Sequence, residues 1–326
     1  MMGLPKASRT GHKKKYDVIV VGELNVDLIM NQVKSFPEIG KEKLSENMTL
    51  TLGSSAAILA YNLSTLGVNV SFIGKAGKDV FGKFCKERLE RNKVDTSMLI
   101  MTDEYQTGAT VVLNFNDDRA NVTFLDAMAS LQPDDITEEM LSSGKHLHFS
   151  SYFLQPGFKG KLDILFKKAK RAGLTTSLDV QGDPEELWEF DYKTILPDVD
   201  VFLPNETELL NLTSCNTVEE ALAETGKYGN VIVVKKGNKG SVLFYKNQLI
   251  QGQPFLNKKV VDAIGAGDSF NAGFICKYLK NDTAEKCQVF ANLIGAVSTT
   301  AVGGTGAFNN YQEVEKIAKE KFGYGE

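Results

Sequence analysis

Tyr16–Gly22 has the sequence YDVIVVG, and its centre, Val18–Val21, is an unbroken run of β-branched residues. A continuous run of this kind is typical of a strand that is buried on both faces. Strands buried on both faces occur in parallel sheets that carry helices on either side. We therefore expect the chain to begin with a strand of a parallel sheet.

The residues that follow alternate between helical and strand patterns. Gly53, Ser54 and Ser55 open a helical stretch that Gly67 ends, as glycine commonly does after the last turn of a helix. A short apolar strand at 70–74 and an amphipathic helix at 81–92 come next. Further strands are predicted at 146–150, 174–180, 199–205, 230–236 and 240–245, and further helices at 159–172, from 265, at 284–300 and at 311–322. This alternation predicts an α/β fold with right-handed crossovers.

The alternation breaks between Gly108 and Ala127. The segments ATVVLNF and NVTFLDA, joined by the polar residues NDDRA, are predicted to form two antiparallel strands of a hairpin. The chain has no internal repeat and no Pro/Gly/Ser-rich linker. We therefore expect one large α/β domain with a small β element inserted into it.

Composition excludes several classes of protein. The chain has 326 residues, of which 42% are hydrophobic, and its formal net charge is −4, whereas nucleic-acid binders usually carry a basic surplus. Four cysteines without a CxxC pair are typical of reduced thiols in the cytosol. No apolar run reaches the roughly 20 residues of a membrane helix. Residues 1–15 are basic but lack an apolar segment, so we expect a disordered tail rather than a signal peptide. These features predict a cytoplasmic protein without nucleic-acid or membrane partners.

Two common nucleotide-binding motifs are absent. No Gly-Lys pair is followed by Ser or Thr, which excludes the P-loop, and the turn after the first strand has one glycine, which excludes GxGxxG. The best alternative is VDAIGAGDSF at 261–270. Gly265, Ala266 and Gly267 would let backbone N–H groups converge at a helix start, where anions bind. Asp268 could then accept a proton from a hydroxyl that attacks phosphorus, although a carboxylate in a first helical turn also simply complements the helix dipole.

Four other segments could contribute to a site, and each has a simpler explanation. Asn205 and Glu208 could orient Mg²⁺-bound water, or could cap a helix. Lys235–Gly240 (KKGNKG) could border a nucleotide, or form a turn between strands. Asn25 and Asp27, with Gly53 and Ser54, could bind vicinal hydroxyls, or occupy turns. Asp179 and Asp183 follow a predicted strand, where turn chemistry explains them better than the lining of a cleft does.

In this order and spacing, the segments resemble the ribokinase-like carbohydrate kinases of the PfkB family from about Tyr16 to Phe322. VVGELNVDLI is similar to the family's first strand, the stretch from Gly53 to Gly82 to its first signature, PNETE to its N-x-x-E motif and VDAIGAGDSFNAGF to its second signature. The resemblance implies a three-layer α/β/α sandwich with a mostly parallel sheet, as a kinase domain over 16–326. Segments near 30–52 and 107–127 would form a small β-sheet lid.

The resemblance also implies roles for the matching residues. Asp268 would be the catalytic base, and the backbone of Gly265, Ala266 and Gly267 would form the anion hole. The remaining implied sites are the sugar site (Asn25, Asp27, Gly53, Ser54), the ATP site (Asn205, Glu208, Lys235, Gly237, Gly240, Asn292), water-mediated Mg²⁺ binding (Glu208) and a monovalent-cation site that would take K⁺ (Asp262 and the carbonyl of Ile264, with the loop at 303–307). In many relatives the lid is a dimer interface, so a homodimer is implied.

The chain departs from the family pattern at three places. Ser54 and Ile58 stand where the family usually has a second glycine and a sugar-contacting asparagine, and DAIGAGD replaces the common DTTGAGD. Basic residues that would hold a substrate phosphate are not evident in the lid, since Arg119 falls in the predicted hairpin turn. We therefore expect an ATP-dependent kinase of an unphosphorylated sugar or sugar acid. The alternatives are a nucleoside kinase, for which Ile58 would contact the base, and a non-catalytic sensor of sugars or nucleotides.

Overall fold

The computed structural model describes Leu4 and residues 14–115 and 118–325. Most of the predicted tail and the first two residues of the predicted hairpin turn (116–117) lie outside these residues. The described strands are β1 Tyr16–Val21, β2 Asn25–Asn31, β3 Asn47–Leu52, β4 Val70–Ile73, β5 Lys75–Gly77, β6 Ile100–Thr102, β7 Gly108–Phe115, β8 Asp118–Phe124, β9 Gly144–Ser150, β10 Thr175–Asp179, β11 Val201–Phe202, β12 Val231–Lys235, β13 Ser241–Tyr245 and β14 Gln248–Gly252.

The described helices separate the strands along the chain. They are α1 Ser55–Thr65, α2 Val80–Arg91, α3 Glu138–Ser142, α4 Leu162–Arg171, α5 Tyr192–Ile195, α6 Glu206–Thr213, α7 Val218–Thr225, α8 Ala266–Leu279, α9 Ala284–Ser298 and α10 Tyr311–Phe322. Most predicted elements are present within three residues of their expected ends. The strand expected at 199–205 is shorter: Val201 and Phe202 pair with both neighbouring strands, and Asn205 forms an isolated bridge to Lys235.

The main sheet of the described chain has the order β14-β13-β12-β11-β10-β9-β1-β4. The strands from β12 to β4 in this order are parallel to one another. Strand β13 pairs antiparallel with β12, and β14 pairs antiparallel with β13. The sheet is therefore mostly parallel, as predicted. Its parallel strands all end at one edge, where loops can gather side chains from distant parts of the chain.

Side chains of β1 show why helices cover both faces of this sheet. Val18 and Val20 pack into the core that contains α1, α8 and α9, whereas Ile19 and Val21 pack into the core that contains α4, α6 and α7. All four are fully buried. The expectation of a strand buried on both faces is confirmed, and the molecule is a three-layer α/β/α sandwich.

A second, smaller sheet has the order β3-β2-β7-β8. Strands β7 and β8 form the predicted antiparallel hairpin, β2 runs parallel to β7, and β3 is antiparallel to β2. This sheet contains the segments expected to form a lid, and it begins at Asn25, directly after the turn that follows β1. A short parallel pair, β5 and β6, forms a third sheet.

Candidate active site

Polar side chains gather where the parallel strands end. Glu23 follows β1, Ser151 follows β9, Asp179 ends β10, Asn205 follows β11 and Lys235 ends β12. The amino-terminal ends of α1 and α8 reach the same edge, since Ser55 donates its backbone N–H to Glu23 and Asp268 accepts a hydrogen bond from Gln181. Helix starts carry unsatisfied N–H donors, so this edge combines carboxylates with a site for anions.

Gly265 is the residue before the first turn of α8, and its backbone has a conformation that favours glycine. Its φ is +73°, and a Cβ atom built on it would lie 2.5 Å from the Cα of Gly304. The helix starts at Ala266, in agreement with the predicted start near Gly265. Asp268, in the first turn, is 6% exposed.

Two cavities contain residues of this helix start in their linings. The first, of about 250 Å³, is lined by Gly265 and Asp268, and the second, of about 310 Å³, by Ala266 and Gly267. The residues predicted to contact sugar that line the first cavity are Asn25, Asp27 and Ser54; the residues predicted to contact nucleotide that line the second are Lys235, Gly237, Gly240 and Asn292. The predicted sugar residues thus share a cavity with Gly265 and Asp268, and the predicted nucleotide residues share another with Ala266 and Gly267.

Asp268 can act as a base near neutral pH. Burial raises the pKa of its carboxyl to about 6, with a further contribution from the charge of Asp179, while hydrogen bonds from Ser55 and Gln181 oppose the rise. Nε2 of Gln181 lies 3.0 Å from Oδ1 of Asp268. With a pKa of about 6, the carboxylate is mostly ionised at pH 7 and can accept a proton from a nearby hydroxyl.

A buried ion pair lies behind the helix start. Nζ of Lys235 is 2.5 Å from Oδ2 of Asp179, and the same oxygen accepts hydrogen bonds from Asn271 and Gln181. Burial opposes the charge on Lys235, but Asp179 and Glu208 outweigh it and raise the pKa of this ammonium. The turn explanation for Asp179 and Asp183 is confirmed, since Asp179 accepts from the backbone N–H of Gln181 and Asp183 from those of Glu185 and Trp188. Asp179 is in addition linked to Asp268 through the side chain of Gln181.

Asn205 and Glu208 form a capping box at the start of α6. The carboxylate of Glu208 accepts hydrogen bonds from the backbone N–H and the side-chain amide of Asn205, and the Asn205 side chain accepts from the N–H of Glu208. Burial, followed by the charge of Asp179, raises the pKa of Glu208 to about 7. The helix-cap explanation is confirmed. The backbone of Asn205 also forms an isolated parallel β-bridge with that of Lys235. The role of this pair toward Mg²⁺ stays a prediction.

The KKGNKG segment forms a tight turn between β12 and β13. Gly237 and Gly240 have φ values of +56° and +83°, which glycine adopts at little cost. The simpler explanation, a turn, is correct for the backbone, and the turn also borders the second cavity. Asn292 lies beside it on α9 and donates a hydrogen bond of 2.9 Å to Oγ of Ser241.

Asn25 and Asp27 line the first cavity, and Gly53 packs against both of them. Nδ2 of Asn25 donates to Oγ1 of Thr110 at 3.0 Å and to Oδ1 of Asp27 at 3.3 Å. A Cβ atom on Gly53 would lie 2.3 Å from that Asp27 oxygen. Burial raises the pKa of Asp27 to about 7. Glycine at 53 thus leaves room for the Asp27 carboxylate.

Ser54 and Ile58 show how the two departures near α1 are accommodated. Ser54 holds a φ of +63°, which favours glycine, and caps α1 by accepting from the N–H of Ala57. Ile58 is 3% exposed, and its side chain packs against Gly304 and Gly265. Ile58 therefore supports the start of α8, although part of it also lines the first cavity.

Arg119 and Asp262 are the two remaining charged residues singled out from the sequence. Arg119 lies in β8 opposite Asn114 and lines the first cavity, which corrects its placement in the hairpin turn. Oδ1 and Oδ2 of Asp262 accept from the N–H groups of Ile264 and Gly303, at 2.9 and 2.8 Å. In the described part of the chain, no group of three or more His, Cys, Asp or Glu residues could hold a metal ion. K⁺ binding by Asp262 and Ile264 stays a prediction.

Three cavity-lining residues, Glu23, Ser151 and Gln181, are not predicted by sequence pattern. Each follows a strand of the main sheet, so the position at a strand end is the signal that could have found them.

Among the described residues, none of the helices is both long and apolar enough to cross a membrane.

Comparison with known proteins identifies relatives across the chain. The model of the pfkB family of carbohydrate kinases matches residues 15–310. An ATP-dependent 6-phosphofructokinase of Thermoanaerobacterium thermosaccharolyticum is 24% identical, covering 89% of this chain and 90% of that protein. A ribokinase of Arabidopsis thaliana is 28% identical, with 97% and 84% covered. A 5-dehydro-2-deoxygluconokinase of Mesomycoplasma hyopneumoniae is 27% identical, with 83% of each covered.

Solved structures of kinases share the fold. A putative ribokinase II from E. coli, in complex with ATP and Mg²⁺, has a TM-score of 0.82 at 23% identity, covering 93% of this chain and 99% of that chain. The Arabidopsis thaliana ribokinase complexed with ribose and ATP has a TM-score of 0.79 at 26% identity, with the same coverage. The predicted ribokinase-like fold is thereby confirmed.

Proposed function

The chain belongs to the pfkB family of carbohydrate kinases, and is thus a phosphotransferase that acts on a sugar; we propose that it transfers the γ-phosphate of ATP to a hydroxyl group of a small, unphosphorylated sugar or sugar acid. One observation carries the proposal. Gly265 and Asp268 share one cavity with Asn25 and Asp27, and Ala266 and Gly267 share a second cavity with the KKGNKG turn.

In this mechanism the carboxylate of Asp268 accepts the proton of the attacking hydroxyl. The backbone N–H groups at Gly265–Gly267 hold the transferred phosphoryl group, because the first N–H groups of a helix have no intrahelical acceptor. The N–H of Ala266 contacts the carbonyl of Ala263 at 3.3 Å, and the phosphoryl group would take over this donor. The charge of Lys235, next to Gly267, attracts the phosphates from the second cavity. Mg²⁺ bound with ATP would neutralise charge on the phosphates.

Asn205 and Glu208 are proposed to hold the water shell of that Mg²⁺. The chemistry of the residues fits, since burial of Glu208 close to Asp179 and Asp268 concentrates negative charge that a cation would stabilise. For K⁺, Asp262 and the carbonyl of Ile264 are proposed to act together with the loop at 303–307. The hydrogen bond from Gly303 to Asp262 links that loop to the start of α8.

Asn25, Asp27, Gly53 and Ser54 are proposed to bind the sugar. Asn25 and Asp27 offer amide and carboxylate groups that suit vicinal hydroxyls. The lining of the first cavity, as far as the chain is described, contains no aromatic side chain on which a nucleobase could stack. This composition favours a sugar over the nucleoside of the alternative hypothesis.

The outer face of the small sheet supports a homodimer. Its outward side chains include Met48, Leu50, Val122 and Phe124, which are 65%, 38%, 67% and 49% exposed. Strands β3 and β8 thus present apolar residues on the face turned away from the cavity. A second copy of the chain would bury this surface. No disulfide joins the four cysteines, all of which lie in the described part of the chain, and this suits the reducing cytoplasm.

The test is ADP release from MgATP, with and without K⁺. The panel would contain ribose, fructose, 5-dehydro-2-deoxygluconate, ribose 1-phosphate, fructose 6-phosphate and adenosine. We expect turnover with an unphosphorylated sugar or sugar acid, and a loss of several orders of magnitude in kcat for Asp268→Asn with ATP affinity retained. Turnover restricted to adenosine would establish the nucleoside kinase instead. ATP binding without turnover of any acceptor would favour the sensor.

A further inference from the structure

Glu23 is a buried carboxylate in the wall of the first cavity. It directly follows Gly22, at the end of β1, and is 1% exposed. Asn25, Asp27 and Asp268 line the same cavity. No part of the phosphoryl-transfer mechanism above uses this side chain.

Among the described residues, one of its two carboxylate oxygens has hydrogen-bond partners and the other has none. Oε1 accepts hydrogen bonds from the backbone N–H of Ser55 and from the hydroxyl of Ser151, both at 2.7 Å. Oε2 is buried and has no hydrogen-bond partner among the described residues. Because buried polar atoms are nearly always paired, the missing donor points to a ligand.

The neighbours of Glu23 narrow the chemistry of that ligand. Neither Asp27 nor Asp268 is hydrogen-bonded to Oε2, and in their ionised forms both are acceptors only. Burial, together with the charge of Asp268, raises the pKa of Glu23 to about 7. A hydroxyl group is a neutral donor, and it satisfies a carboxylate oxygen without adding charge to this acidic wall.

We propose that Oε2 of Glu23 accepts a hydrogen bond from a second hydroxyl group of the bound sugar, distinct from the phosphorylated one, and thereby determines specificity. Asp268 takes the acceptor hydroxyl. Ser55 sits between the two carboxylates, since its backbone N–H binds Glu23 and its side chain binds Asp268. The inference rests on the proposed function, because it concerns the sugar of the same site.

Glu23→Gln is the direct test because it preserves shape and changes one acceptor into a donor. We expect the KM of the best sugar from the panel to rise about 10-fold to 100-fold, as for loss of a hydrogen bond to a charged group. The KM of ATP should stay within about twofold of wild type, since the second cavity is untouched. Glu87→Gln, which changes an exposed carboxylate on α2, is the matched control.

Monodeoxy analogues of that sugar identify the hydroxyl and do not depend on the folding of a variant. One analogue, which lacks a hydroxyl group other than the acceptor, should have a low kcat/KM with the wild type. Its kcat/KM should fall little further with Glu23→Gln, because the hydrogen bond is already lost. Equal kcat/KM for all such analogues, or an unchanged sugar KM in a folded Glu23→Gln protein, would overturn the proposal while phosphotransfer stands. Failure of the wild type to phosphorylate any sugar would overturn the proposed function and this inference together.

Discussion

Nε2 of Gln181 lies 3.0 Å from Oδ1 of Asp268 and 3.0 Å from Oδ2 of Asp179. One amide therefore links the proposed base to the buried Asp179–Lys235 ion pair. Gln181 holds this position with a φ of +61°, a conformation that costs about 1–3 kcal/mol for a residue other than glycine. The backbone is strained at the point where the two carboxylates meet.

Removal of the Gln181 amide should move the pH profile. Its hydrogen bond favours the ionised form of Asp268, so Gln181→Ala should raise the pKa of Asp268 above about 6. Because the ionised base is the active form, the acid limb of kcat should shift to higher pH, by up to about one unit. Rates measured between pH 5 and 9 would show this. Gln251→Ala on exposed β14 is the control, and an acid limb unchanged in Gln181→Ala would contradict the assignment.

Removal of Lys235 should destabilise the fold. Lys235→Met leaves Asp179 buried without its counter-ion, and loss of one partner of a buried pair costs about 3–5 kcal/mol. The double variant Lys235→Met/Asp179→Asn should regain much of this loss in urea unfolding. Equal stability of the wild type and Lys235→Met would mean that water or another group compensates Asp179.

Glycine at position 54 should stabilise the protein. Ser54 has a φ of +63°, so Ser54→Gly relieves strain worth about 1 kcal/mol or more, while exchange of a serine cap for glycine costs only a few tenths. Thr137→Gly is the matched control, because Thr137 caps α3 at a φ of −80° and has no such strain. Thermal unfolding should give a higher Tm for Ser54→Gly alone. A lower Tm would show that the Ser54 hydroxyl outweighs the strain.

Arg119 should distinguish sugar acids from neutral sugars. It is a cationic residue in the lining of the first cavity, where Glu23, Asp27 and Asp268 repel an anion. Arg119→Ala should therefore raise the KM of a sugar acid about tenfold and leave that of a neutral sugar within about threefold. Arg91→Ala, on the exposed face of α2, is the control. Equal effects on both substrates would assign Arg119 to the sheet rather than to recognition.

Stability should decrease as pH rises from about 5 to 8. The pKa values of Glu23, Asp27 and Glu208 are raised to about 7 and that of Asp268 to about 6, so these four groups bind more protons in the folded protein than in the unfolded chain. Burial lowers the pKa values of His146 and His148, which act in the opposite sense, but the four carboxyls outnumber them. More protons bound to the folded state means that the free energy of unfolding falls with pH. Tm measured in buffers of constant ionic strength should show this slope, and Glu23→Gln should flatten it. A rising Tm would contradict the raised pKa values.

Much of the fold is encoded in local patterns. The run at Val18–Val21 is sufficient to predict a strand buried on both faces, because a fully buried strand has no need of polar alternation. Gly67 and Gly265 mark a helix end and a helix start through positive φ values that other residues avoid. The GAGD turn is likewise local, since a helix start and its first-turn carboxylate are encoded within a few residues.

Elements that depend on partners were harder to predict. The strands β2 and β3 are stabilised by each other and by β7, and β14 lies at the edge of the main sheet, so their own patterns are weak. Arg119 was predicted to lie in a turn, yet β8 continues through it because Asn114 pairs opposite.

The site was decided by tertiary structure. Gln181 meets Asp268 across 87 residues, Lys235 meets Asp179 across 56, and Ser151 meets Glu23 across 128. No local period or capping rule connects such positions. They meet because parallel strands end at one edge, and the strand order places β1 beside β9 and β9 beside β10. The sequence by itself determined which segments become strands and helix starts; sheet order determined which carboxylates share a cavity.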